Sequence, residues 1–95
     1  MKGHAPKVQR PTPAWLKLAA KNALFRARDL APLFGYTMSG FGTAVHNGHF
    51  PPHEAVGTFA SANLPAFHYH QWTKATVVAE YLRRRKEEDE KSVDK

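Results

Sequence analysis

The sequence predicts a small, mainly α domain with one β-hairpin placed before its last helix. Ninety-five residues, 42% of them hydrophobic, suit a single folded globule, and seven prolines with six glycines divide it into short elements. Apolar residues recur at helical spacing in Leu30, Leu33 and Phe34, in Phe41, Ala44 and Val45, and again in Val77, Val78, Tyr81 and Leu82. Between the last two groups the pattern changes, and "FPPHEAVGTF" and "AFHYHQW" read as extended segments joined by the turn-rich "ASANLP".

Taken in order, residues 1–11 ("MKGHAPKVQRP") form a basic, flexible arm, and a short helix occupies residues 12–22, with Thr12 as its cap and Pro13 at its first position. The main domain spans residues 23–86. It opens with Ala23, Leu24 and Phe25 leading into a helix through Leu30, Leu33 and Phe34, with Pro32 in the first turn and Gly35 closing the end. Thr37 caps a second helix, which Asn47-Gly48 stops. Thr73 caps the last helix, with Trp72 just before it, and residues 87–95 form a charged tail. Four-residue spacing pairs Arg83 with Glu87, Arg84 with Glu88, Arg85 with Asp89 and Lys86 with Glu90, so "RRRK" reads as an internally neutralised face.

The net charge of +6 is unevenly spread. Residues 1–28 hold Lys2, Lys7, Arg10, Lys17, Lys21, Arg26 and Arg28 without an acid, whereas residues 29–73 hold only Asp29 and Glu54 as charged groups. A basic arm of this kind suits phosphate backbones or anionic lipid heads, or serves as a solubilising tail. With no cysteine there is neither a disulfide framework nor a thiolate metal site, and "MKGHAPKVQR" is not a signal peptide, so a cytoplasmic location is expected.

The order of "ARDLAPLFGYT", "GTAVHNGHFPP" and "WTKATVVAEYL" resembles the small winged helix-turn-helix proteins of the AlpA, Cox and excisionase type, found in phages and integrated elements. The resemblance covers about Leu24 to Leu82 and implies a MerR/excisionase-like fold. It further implies a sequence-specific duplex-DNA-binding regulator that controls transcription or acts as a recombination directionality factor. In such a protein the second helix enters the major groove. Phe41, Ala44 and Val45 then face the core, leaving Ser39, Gly42, Thr43, His46 and Asn47 toward bases, with Thr37 and His49 at the helix ends. Arg26 and Arg28 flank the first helix as phosphate contacts. A recombinase, or a second copy of the chain on the same DNA, is a candidate further partner. Family members usually carry arginine or lysine where this chain has Gly42 and Thr43. The small terminase subunits of some phages look similar at their N-termini, which keeps a DNA-packaging adaptor open.

His46, His49, His53, His68 and His70 have no thiol and only the single carboxylate of Glu54 among them, so they are read as surface groups that gain charge near DNA rather than as metal ligands. No nucleophile, base and acid stand in a catalytic pattern, and the expectation is a protein without enzymatic activity or cofactor. The rival reading is a single-pass subunit of a membrane complex, because Leu30 to Val45 carries no charge. That run falls short of the ~20 apolar residues a span requires and is interrupted by Pro32, Tyr36 and Thr37.

Overall fold

In the computed structural model, which describes residues 7–93, helices α1 (Ala14–Lys17), α2 (Ala27–Leu33), α3 (Met38–His46) and α4 (Lys74–Val93) alternate with strands β1 (Leu24–Arg26), β2 (Ala55–Ser61) and β3 (Leu64–Thr73). The order along the chain is α1-β1-α2-α3-β2-β3-α4, and the strands form one antiparallel sheet in the order β1-β3-β2. The expected hairpin is therefore extended by a third strand. Leu24, Phe25 and Arg26, read from the sequence as a helical lead-in, pair with Thr73, Trp72 and Gln71. Three residues are too few to display alternation, and it is the pairing with β3 that makes them a strand.

Helices α2 and α3 end in the same way. Gly35 and Gly48 adopt φ of 81° and 80°, and beside each the following amide reaches back five residues, Tyr36 to the Ala31 carbonyl and His49 to the Ala44 carbonyl. These are Schellman closures, which need a residue that tolerates the left-handed region. At the other end of α3 the Thr37 hydroxyl accepts the Gly40 amide at 2.9 Å, an N-cap as expected. Pro32 does not sit in the first turn of α2. The helix begins at Ala27, so Pro32 is in its last turn, where its missing amide costs one hydrogen bond. In α1 the capping position is Pro13, and Thr12 instead points its hydroxyl to the Tyr81 hydroxyl.

The core is an aromatic cluster surrounded by aliphatic residues. Phe50 contacts Phe34 and Phe41 with ring centroids 4.8 Å apart in each case, and Trp72 lies 5.4 Å from Phe41 and 5.9 Å from Phe50. The Trp72 indole N–H donates to the Pro51 carbonyl at 2.8 Å, giving the buried ring its partner. Leu16, Leu30, Leu33, Val77 and Tyr81 close the periphery.

Helix α4 docks by a different stripe from the one expected. Val77, Glu80 and Tyr81 are buried and Arg84 is half-buried, while Leu82 is 55% exposed. At 100° per residue, positions 77, 81, 84 and 88 share one face, and Leu82 falls outside it. The four-residue ion pairs are largely replaced. Only Arg83–Glu87 forms, at 2.7 Å, whereas Arg83 and Arg84 both clasp Glu80. Glu88 and Asp89 are engaged by Arg10, at 3.3 and 2.9 Å.

Residues 8–10, expected within a flexible arm, are docked. Val8 is buried, the Gln9 amide donates to the Leu33 carbonyl, the Tyr81 hydroxyl donates to the Gln9 carbonyl, and the Val8 amide donates to Glu88. Burial of Val8 together with these hydrogen bonds outweighs the loss of chain freedom. The Lys2 end of the arm lies outside the described residues. Among the described residues no helix is long and apolar enough to cross a membrane.

Candidate nucleic-acid interface

Helix α3 turns Phe41 and Ala44 into the core and leaves Ser39, Gly42, Thr43, His46 and Asn47 exposed. The helical period around the two buried residues sets this division, so these five candidates do share the solvent side of one helix. Apart from the bare Gly42 their side chains are polar, with no lysine, arginine or acid among them. Thr43 donates its hydroxyl to the Ser39 carbonyl at 3.1 Å, which leaves its methyl and an acceptor lone pair for a partner. An added Cβ on Gly42 would meet nothing within 4 Å, so packing does not require glycine there, and its absence of a side chain lets another surface approach the helix backbone.

The remaining candidates are placed differently. Thr37 is exposed, but its hydroxyl is committed to the Gly40 amide and acts as a cap. His49 is exposed beyond the end of α3, with its carbonyl accepting from Arg84 at 2.6 Å. Arg28 is exposed on the first turn of α2 and makes no ion pair among the described residues. Arg26 is half-buried and lies over the Tyr69 ring at 3.9 Å, with its Nε lacking a hydrogen-bond partner among the described residues. By strand alternation Arg26 and Tyr69 project from the face of the sheet opposite Trp72, His70 and His68, so the sheet separates Arg26 from the candidate residues on α3.

A recess flanks α3 on each side. On one side, α4 brings Arg83, Arg84, Glu87 and Glu88 opposite Thr43 and Asn47. The charges there are largely satisfied internally, because Arg84 donates to Glu80, to the Tyr36 hydroxyl at 3.0 Å and to the His49 carbonyl, and its guanidinium lies over the Phe34 and Phe50 rings. Burial pushes the Glu80 carboxyl up, but the hydrogen bonds from Arg83 and Arg84 outweigh it and hold the group below the usual carboxylate range.

On the other side, the hairpin and α3 enclose a cleft of about 580 Å³ lined by His46, His53, His68 and His70 above an apolar floor that includes Phe41 and Trp72. The His53 and His70 rings are stacked, with centroids 3.8 Å apart and planes 5° from parallel, and His68 Nδ1 lies 3.0 Å from the Thr58 hydroxyl. Sequence reading noted the histidines but not this convergence. The i, i+2 spacing of His68 and His70 signalled a shared strand face, whereas the approach of His53 and His46 depends on the sheet and helix packing. Among the described residues no group of three metal-ligating side chains converges closely enough to hold an ion.

The hairpin's outer face carries an exposed ladder of Phe59, Phe67 and the half-buried Tyr69, with Phe59 and Phe67 centroids 5.2 Å apart. The ring of Tyr69 covers Gly57, where a Cβ would come within 2.3 Å of it. Comparison of the chain with protein-family models, with curated proteins and with solved structures finds no match.

Proposed function

We propose that this protein is a duplex-DNA-binding winged helix-turn-helix module in which α3 reads the major groove and the β2–β3 hairpin is the wing. The observation that carries the reading is the exposed row Ser39, Gly42, Thr43, His46 and Asn47 on a helix fixed at both ends, by the Thr37 cap and the Gly48 closure, beside a projecting hairpin. The element order and the short α2–α3 connection, Phe34 to Thr37, support it. Thr43 offers a methyl to thymine and an acceptor to a base amine, and His46 and Asn47 donate or accept at base edges. Arg28 and Lys21, both exposed, supply phosphate contacts without sequence preference. The role is that of a regulator of transcription or of recombination direction, with a cytoplasmic location and no chemistry of its own.

The test is a competition titration of specific against random duplexes. Thr43→Ala and His46→Ala should each shrink the preference for the specific duplex by about 1–3 kcal/mol, with the fold and the salt dependence nearly unchanged. Phe41→Ala, at a position 1% exposed, should remove about 3–5 kcal/mol of stability and all binding together. Full discrimination in both surface variants would refute reading by α3. A second reading, a protein-binding adaptor, is favoured by the exposed Phe59–Phe67 ladder, an apolar surface suited to a recombinase or a second copy of the chain.

A further inference from the structure

The cleft between α3 and the hairpin gathers His46, His53, His68 and His70, and among the described residues no lysine, arginine, aspartate or glutamate lines it. The charged neighbours are all turned elsewhere. The Glu54 carboxylate, next to His53, accepts from the Thr73 amide at 3.0 Å and the Thr76 hydroxyl at 2.9 Å at the start of α4. Arg26 lies over Tyr69 on the opposite face of the sheet, and from α2 the lining residue is Ala27. Tyr69 also borders the cleft, with its ring on the opposite face of the sheet beneath Arg26. Protons taken up by these imidazoles therefore find no counter-charge supplied by the protein within the cleft.

We propose that this cleft is a seat for the phosphodiester backbone of duplex DNA, which enters it with uptake of protons by the histidines. This rests on the DNA-binding reading and assigns the strand contact that α3, lacking lysine and arginine, does not provide. The local geometry permits the charge change. A hydroxyl both donates and accepts, so Thr58 stays paired with His68 in either protonation state. The stacked His53 and His70 rings tolerate one added proton with less repulsion than two. A phosphate oxygen beside the stack supplies the negative charge that makes the second proton favourable. The position fits, because the cleft borders Gly42 and His46 on the same helix that faces the bases.

The experiment is fluorescence anisotropy of the full chain on a short random-sequence DNA duplex, across a salt series at several pH values from about 5.5 to about 8. Each histidine that gains a proton against a phosphate adds about 0.9 to the slope of log K against log salt, so the slope should steepen by about 2 to 4 units at the acid end. Affinity at fixed salt should rise at least about thirtyfold over the same range. The variant His46→Gln/His53→Gln/His68→Gln/His70→Gln keeps hydrogen-bonding capacity in the cleft without titrating and leaves His49 outside it in place, so its slope should steepen by no more than about 1 unit. Circular dichroism of both proteins across the range checks that the fold is kept. Should the variant not fold, the slope of the parent alone decides. Binding by the parent with a pH-independent salt slope overturns the seat and leaves the DNA reading standing. A slope that steepens as much in a folded variant as in the parent also overturns it, and no duplex binding at any pH overturns both.

Discussion

Replacing Arg84 with methionine keeps an apolar side chain of similar reach while removing the guanidinium, which lies over the Phe34 and Phe50 rings. That guanidinium joins three parts of the fold. It donates to the Tyr36 hydroxyl just beyond the end of α2, to the His49 carbonyl just beyond the end of α3, and to Glu80 on its own helix. Its side chain is 12% exposed. Glu80 keeps Arg83, and the Tyr36 and His49 oxygens are near enough to solvent to rehydrate. Each of the three bonds is therefore counted near 1 kcal/mol rather than at the full value for a buried charge, and the loss is about 3 kcal/mol. For a domain of this size that is roughly 12–24 °C of thermal midpoint. Arg83→Met is the internal control. At 53% exposure its pairs with Glu80 and Glu87 should contribute about 1 kcal/mol or less. Thermal unfolding followed by circular dichroism measures both. A midpoint for Arg84→Met within about 3 °C of the parent, or equal losses from the two variants, would refute the assignment of Arg84 as the tie between the helix ends.

Gly35→Ala should destabilise more than a helix-end glycine alone would, because the added Cβ meets the Lys7 carbonyl oxygen at 2.4 Å as well as facing a φ of 81°. Limited proteolysis should then cut near Lys7 and Arg10 faster than in the parent, and unchanged cleavage would count against docking of that segment. Acid should destabilise the fold through Glu54 and Glu80. Glu54 is held below the usual carboxylate range first by the Thr73 backbone amide, then by the Thr76 and Thr73 hydroxyls acting against desolvation. Both folded values are depressed, so the unfolded chain binds more protons, and the stabilisation is complete above about pH 4.5 and lost as pH falls through the folded values. Thermal midpoints should drop below about pH 4.5, and less steeply in Glu54→Gln; a flat profile down to about pH 3 would contradict this.

The two helix ends at Gly35 and Gly48, the Thr37 cap and the hairpin were legible because each rests on local chemistry: a left-handed glycine, a hydroxyl at an amide, an alternating pattern. The exposed row on α3 was legible for the same reason, as the complement of Phe41 and Ala44. The rest depends on partners distant in sequence. Strand β1 exists through Trp72, forty-odd positions away from it along the chain. Glu88 and Asp89 leave their helical neighbours for Arg10, and Arg84 leaves Glu88 for Glu80 and two helix ends. Leu82 failed as a core residue because an apolar column at four-residue spacing says nothing about where the supporting surface stops. Of the site, the histidine pair on β3 was visible, and its meeting with His53 and His46 was not.

The clasp of Val8, Gln9 and Arg10 on Leu33, Tyr81, Glu88 and Asp89 joins residues up to 80 positions apart. During synthesis the first ten residues leave the ribosome long before the far half of α4 is made. The segment next to the buried face of Leu33 and Phe34 then stays uncovered until α4 has emerged. Completion of the domain thus waits for the far half of α4. A nascent chain stalled before Glu88 would present an open apolar seam for chaperones to hold, and a ribosome-bound fragment should become protease-resistant only once the helix beyond that residue has cleared the exit tunnel.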